Sequence, residues 1–173
     1  GGKKAFTKKL NDFFTIESLN PNKFLGQEAM IGQYAHGNEP SHHIVYLYAY
    51  SETPKVGQKY IHKIIHEFHN NTPDGMIGND DCGQMSAWYI WTSLGMYPMN
   101  PASGEYMFGY PLINKATIQL PDQKELQIKV IRKSDKKESG IEQVKLNGKE
   151  IPVRSITHTQ LMNGGVLELF VND

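Results

Sequence analysis

The stretch "EQVKLNGKEI", residues 142–151, decides how the second half of this chain folds. Apolar and polar residues alternate on either side of Asn147-Gly148, and an Asn-Gly pair between alternating runs is the strongest short-range signal for a two-residue β-hairpin. The same alternation recurs in "KATIQL" (115–120), "ELQIKVI" (125–131) and "GVLELFV" (165–171). These four segments predict an antiparallel sheet. The intervening "RKSDKKE" (132–138) reads as a solvated loop between strands.

Upstream, the period changes. Phe6, Leu10 and Phe13 follow helical spacing, as do Val56, Tyr60, Ile64 and Phe68, with Ile61 and Ile65 widening the stripe. Pro40 and Pro54 suit helix first turns, and Gly95 suits a C-terminal cap after Met85, Trp88, Tyr89 and Leu94. The expected class is therefore α+β, with a helical part over 1–99 and an antiparallel β region over 100–173, joined through "NPASGEY" (100–106).

Composition narrows the function. Lys and Arg together number 18, as do Asp and Glu, so no basic surface for nucleic acid is implied. The longest apolar run, "IVYLYAY" (44–50), is far short of the roughly 20 residues of a membrane helix. Cys82 is the lone cysteine, so an internal disulfide is excluded.

Two loops carry candidate chemistry. "HGNEPSHH" (36–43) and "PDGMIGNDDCGQMSAWY" (73–89) are each punctuated by glycine, rich in Asn and carboxylate, and delivered onto a helix. Oxygen ligands of this kind suit a hard cation such as calcium, and adjacent carboxylates suit acid–base work. Asp80 and Asp81 can equally serve as an N-cap and a first-turn acid, although only one of them is needed for capping. As like-charged neighbours, the two are expected to have one carboxyl pKa raised. His42 and His43 sit where a helix is expected to begin and can cap, pack or bind. Trp88, Tyr89 and Trp91 read as core or, in part, as a platform for a sugar. His62, His66 and His69 share a helical face outside the apolar stripe and read as solvent-exposed, with a metal site the lesser reading.

The segments "GQYAHGNEPSHHIVYLYAY", "PDGMIGNDDCGQMSAWYIWTSLGMYPMNPASGEYMFGYP" and "LMNGG" resemble the C-terminal part of the glycoside hydrolase family 92 exo-α-mannosidases, chiefly bacterial α-1,2-mannosidases. The likeness covers nearly the whole chain. It implies the last helices of an (α/α)6 barrel followed by a small antiparallel β region, calcium dependence, and hydrolysis with inversion. It further implies Asp81 as the general base, with Asp80 as alternate or supporting acid. Asn38 and Glu39 would help hold Ca2+, and His42, His43 and Trp88 would face the substrate, a mannose-containing glycan.

The family's general acid lies in an "EGN" type motif, and none occurs in residues 1–36. The chain therefore reads as needing the remainder of a parent enzyme, with apolar surface left uncovered around Trp88 and Trp91. By the same resemblance the location is periplasmic, secreted or at the cell surface. Two other readings remain: a non-catalytic calcium-dependent sugar-binding module, and a structural unit completing a larger domain. Two adjacent acids in "GNDDCGQ" weigh against the latter.

Overall fold

A computed structural model describes residues 1–17, 30–134 and 140–172. These divide into two compact units, Gly1–Tyr89 and Ile90–Asp173, the division falling within helix α3 (Gln84–Ser93).

The first unit opens with α1 (Gly2–Thr15), which buries Thr7, Leu10 and Phe14. The stripe is rotated from the predicted one: Phe6 and Phe13 are half-buried, and Phe14 is the residue that enters the core. Its ring stacks on Tyr34 and Tyr60, with centroids 5.1 and 4.4 Å away. Polar contacts fix the helix further along the chain. The Thr7 hydroxyl accepts from the Glu52 amide at 2.8 Å, and the Tyr48 hydroxyl donates to Asn11 Oδ1 at 2.9 Å. A short hairpin, β1 (Met30–Ile31) and β2 (Tyr34–Ala35), precedes the first loop.

Residues Glu39–Ser41 and Ile44–Tyr50 form 3₁₀ helices. No α-helix begins at His42 and His43, contrary to the sequence expectation; the two lie in the turn between these segments. Three residues per turn suit "IVYLYAY", because Val45 and Tyr48 then lie one turn apart and both enter the core. Helix α2 (Pro54–Phe68) starts at Pro54 as predicted, and buries Gly57, Gln58, Ile61, Ile64 and Ile65. A Cβ on Gly57 would collide with the Tyr48 side chain, so the approach of α2 to the 3₁₀ segment requires glycine there. The helix ends at Phe68. His69 consequently leaves the exposed face occupied by His62 and His66 and turns inward, a correction to the spacing argument.

The second unit contains two sheets. β3 (Met96–Asn100), β4 (Glu105–Phe108) and β9 (Ser155–Thr157) form an antiparallel three-stranded sheet. "NPASGEY" is thus a turn within this sheet, not a joint between helices and strands. The other sheet has five strands in the order β5-β6-β10-β7-β8: β5 (Lys115–Gln119), β6 (Glu125–Lys133), β7 (Gly140–Leu146), β8 (Lys149–Ile151) and β10 (Gly165–Asn172).

All four alternating segments form strands of this sheet, and β7–β8 is the hairpin announced by Asn147-Gly148. Both turn residues have positive φ, 51° and 75°, as a two-residue hairpin loop demands. The sheet is mixed, however, because β10 pairs parallel with β6 and antiparallel with β7. Alternation reports which side chains face the core and is blind to strand direction, so the all-antiparallel expectation is corrected here. Leu167, Leu169 and Val171 of β10 are buried beside Leu126 and Ile128 of β6. Helix α4 (His158–Met162) precedes β10 and carries a capping box between Thr157 and Gln160.

Of the predicted loop 132–138, Arg132 and Lys133 belong to β6, the Arg132 guanidinium donating to the Pro111 carbonyl at 2.8 Å. Residues 135–138 lie outside the described residues. The exposed large apolar residues near α3 are Tyr89 and Ile90, whereas Trp88 is fully buried and Trp91 half-buried.

Candidate functional site

Both candidate loops belong to the first unit, and glycine brings them together. Gly78 has φ +75°, and a Cβ there would lie 2.6 Å from the Gly37 carbonyl oxygen. The backbone just before Asn38-Glu39 therefore lies directly against the backbone just before Asp80-Asp81. Any larger residue at 78 would force the two loops apart.

The two aspartates are both exposed but have different surroundings. Asp80 turns back onto the start of α3. Its Oδ2 accepts from the Ser86 hydroxyl at 2.6 Å and its Oδ1 from the Ser86 amide at 3.1 Å. These donors hold its carboxyl below the usual carboxylate range, the Ser86 hydroxyl first and the Ser86 amide next. For Asp80, the like-charge argument is overruled by donors that favour the ionised form. Asp80 thus takes the capping role for which one acid suffices. Asp81 begins the 3₁₀ turn Asp81–Gly83, in which Cys82 and Gly83 both have positive φ, 53° and 76°. A non-glycine residue at φ > 0 is uncommon and carries backbone strain.

On the facing loop, Asn38 is exposed and stands at the N-terminus of the Glu39–Ser41 turn. Its carbonyl accepts from the Ser41 hydroxyl at 2.8 Å, and the same hydroxyl reaches the Ala35 carbonyl at 2.5 Å. Glu39 is half-buried, and its Oε1 is buried without a hydrogen-bond partner. A buried, unpartnered carboxylate oxygen is costly unless something cationic or protic meets it. That oxygen fits a calcium ligand. Among the described residues no three His, Cys, Asp or Glu side chains converge into a metal cage. A hard cation here would draw on Asn38 Oδ1, backbone oxygens or groups elsewhere as well as Glu39.

Behind the loops lies a set of imidazoles that the sequence reading did not assemble. His36, His42 and His69 surround Trp88, the His36 ring 4.4 Å and the His69 ring 5.9 Å from it between centroids. His36 is fully buried, its Nδ1 2.9 Å from the Tyr34 hydroxyl and its Nε2 unpartnered. Burial, reinforced by the charges His42 and His69 would carry, pulls its pKa down to about 2. Burial also lowers the pKa values of His42 and His69. Neither His69 ring nitrogen meets a partner in hydrogen-bond geometry, and the Ile64 carbonyl only partly opposes the effect of burial.

Of the residues that the resemblance implies face the substrate, His42 is 1% exposed and Trp88 0%. Their positions suit support of the loops, while His43 is exposed. Ser86 and His36 were missed, and His69 was assigned to an exposed helical face. The signals available were an N-cap acid in need of a nearby donor, and a helix that had to stop before Asn70-Asn71.

The glycosyl hydrolase family 92 catalytic domain matches residues 1–173. A family 92 α-mannosidase from Bacteroides thetaiotaomicron superposes with a TM-score of 0.86 at 36% identity, over 99% of this chain and 23% of that one. The same enzyme in complex with mannoimidazole gives 0.85 at 35% identity, over the same shares of the two chains. A family 92 inverting mannosidase of that organism gives 0.73 at 31% identity, over 95% of this chain and 23% of its own. A protein of Arthroderma benhamiae described as an uncharacterized secreted glycosidase is 34% identical over 135 residues, 77% of this chain and 17% of that relative. The chain thus spans about a sixth to a quarter of the length of these relatives.

Proposed function

The chain belongs to glycosyl hydrolase family 92, and from that premise we propose that it forms the base-bearing part of a longer, inverting exo-α-mannosidase acting on terminal α-1,2-linked mannose. The observation that carries this reading is the division of labour between the paired acids. Ser86 engages Asp80 twice, so Asp80 accounts for the cap, and Asp81 is left on a strained turn with no structural duty that needs a second carboxylate.

In an inverting reaction an ionised carboxylate removes a proton from the attacking water, while an acid on the opposite side protonates the departing oxygen. Asp81 takes the first role, and Asp80, kept ionised by Ser86, supports it. The proton donor comes from a part of the enzyme beyond these residues. Asn38 and Glu39 contribute oxygens to a calcium ion, which when bound would hold hydroxyls of the terminal mannose and favour ring distortion. The orphaned Glu39 Oε1 supports that assignment. His43, exposed next to this loop, is the remaining candidate for sugar contact. The sites of action are mannans or N-glycans outside the cytoplasm, either periplasmic or secreted. One relative's description as secreted supports this.

The experiment compares the 173-residue chain with the full-length protein on α-1,2-mannobiose and on an activated aryl mannoside. Full-length protein is expected to cleave both, to lose activity to a strong chelator, and to regain it with calcium better than with zinc. The isolated chain is expected to leave mannobiose intact and to act at most in traces on the aryl substrate, whose acidic leaving group depends less on a proton donor. Robust mannobiose cleavage by the chain alone would show that a general acid lies within it, and Glu39 would be examined first.

A further inference from the structure

We propose that His42 is a positioning residue that latches the Asn38-Glu39 loop to the Asp80-Asp81 loop, and that it does not touch the sugar. The proposal rests on the functional reading above for its effect on catalysis, but the latch itself is a matter of geometry. Five connections converge on this residue. Its amide donates to the Glu39 carbonyl at 3.0 Å, binding it to the first loop. Its Nε2 lies 3.0 Å from the His36 carbonyl and 3.2 Å from Met85 Sδ. Its Nδ1 lies 3.3 Å from the Gln84 side-chain nitrogen, and its own carbonyl accepts from Trp88 Nε1 at 3.3 Å.

The chemistry of these partners fixes the ring state. A carbonyl can only accept and an amide nitrogen can only donate, so Nε2 carries the proton and Nδ1 offers its lone pair to Gln84. A neutral imidazole protonated on Nε2 satisfies both sides at once; an imidazolium would turn Nδ1 into a second donor facing Gln84. The groups facing it are His36, Glu39, His43, Gln84, Met85 and Trp88.

Gln84 is the first residue of α3 and directly follows the Asp81–Gly83 turn. Holding the Gln84 side chain therefore holds the end of the turn on which Asp81 sits, while the same imidazole is anchored to the His36 carbonyl and the His42 amide to the Glu39 carbonyl. Where a base and a metal ligand must meet one sugar, a displacement of about 1 Å can cost on the order of 10²-fold in rate.

The test uses the full-length protein, an activated aryl mannoside as probe, and the variants His42→Phe, Gln84→Leu and their combination. His42→Phe keeps a buried ring and removes the side-chain hydrogen bonds, while Gln84→Leu breaks one tie without entering the core. Each single variant is expected to lower kcat about ten-fold with KM within about two-fold of wild type, and the double variant to be no worse than the poorer single. Amide hydrogen exchange is expected to quicken together at residues 36–42 and 78–86 in His42→Phe, with 61–65 of α2 unchanged.

A raised KM with kcat preserved would overturn the proposal in favour of direct sugar contact. Additive kcat losses with unchanged exchange in both loops would reduce His42 to filling space. If wild-type protein cleaves no mannoside, the functional reading fails, and the exchange data still decide the latch.

Discussion

The two units of this chain use their residues in opposite ways. In Ile90–Asp173 the strands of the five-stranded sheet alternate more buried apolar side chains with more exposed polar ones, so most of their side chains are explained by their place in the sheet. In Gly1–Tyr89 the informative residues ride on 3₁₀ turns and loops, with Cys82 at positive φ, a carboxylate oxygen of Glu39 buried without a partner, and three imidazoles packed around Trp88. Folding alone would disfavour each of these features. The contrast lies in what the departures from local rules involve: in the second unit they are turn residues at positive φ (Asp122, Gln123 and Asn147) and the buried Ser93 Oγ and Asn172 Nδ2, whereas in the first they include a carboxylate and imidazoles beside the two candidate loops.

If that contrast is right, damage to the first unit should disturb chemistry and damage to the second only stability. The largest effect is expected for Trp88→Ala. Removing a fully buried Trp should cost about 3–5 kcal/mol, read from urea unfolding, and should release the His42 carbonyl that it binds. A loss under about 1 kcal/mol would mean that the imidazole cluster does not depend on this ring.

Acid should weaken the first unit through its histidines. The folded-state pKa of His36 lies near 2 against 6.5 for the free side chain. On acidification the unfolded chain therefore takes up this proton first. The His36 contribution is neutral above about pH 6.5 and turns increasingly destabilising as pH falls below it, by about 1.4 kcal/mol per pH unit. His42 and His69 act in the same direction. Urea midpoints at pH 7.5, 6 and 5 check this, and His36→Phe should flatten the dependence. An equal slope in His36→Phe would assign the effect elsewhere.

The smallest effect is expected in the second unit. Asn147 supplies positive φ to the β7–β8 turn, and its Oδ1 accepts from the Val166 amide at 2.8 Å, tying the hairpin to β10. Asn147→Ala should cost about 1 kcal/mol in unfolding free energy and leave kcat of the full-length protein unchanged. A marked loss of kcat would break the division between a catalytic and a supporting unit.

What the sequence made legible follows the same line. Period-2 alternation located β5, β6, β7, β8 and β10, and Asn147-Gly148 located a turn, because each signal depends only on neighbours in the chain. The parallel pairing of β6 with β10 was not legible, since strand direction is set by a connection through β7, β8, β9 and α4. In the first unit α2 was readable from its stripe, but the histidine spacing 62, 66, 69 overran the helix end at Phe68 and misplaced His69. The loops "HGNEPSHH" and "GNDDCGQ" were recognised as unusual by composition. That Ser86 would claim Asp80, or that Gly37 would rest on Gly78, depends on backbone placement that no local pattern encodes.

The central claim is that Asp81 is the base and Asp80 its supporting neighbour. Its most direct test is kcat of the full-length protein on α-1,2-mannobiose with Asp81→Asn beside Asp80→Asn. General base catalysis contributes about 10²–10⁴-fold, so Asp81→Asn is predicted to lower kcat by about 10² or more and Asp80→Asn by clearly less. Turnover near wild type in Asp81→Asn, with collapse in Asp80→Asn, would contradict the account and exchange the two roles.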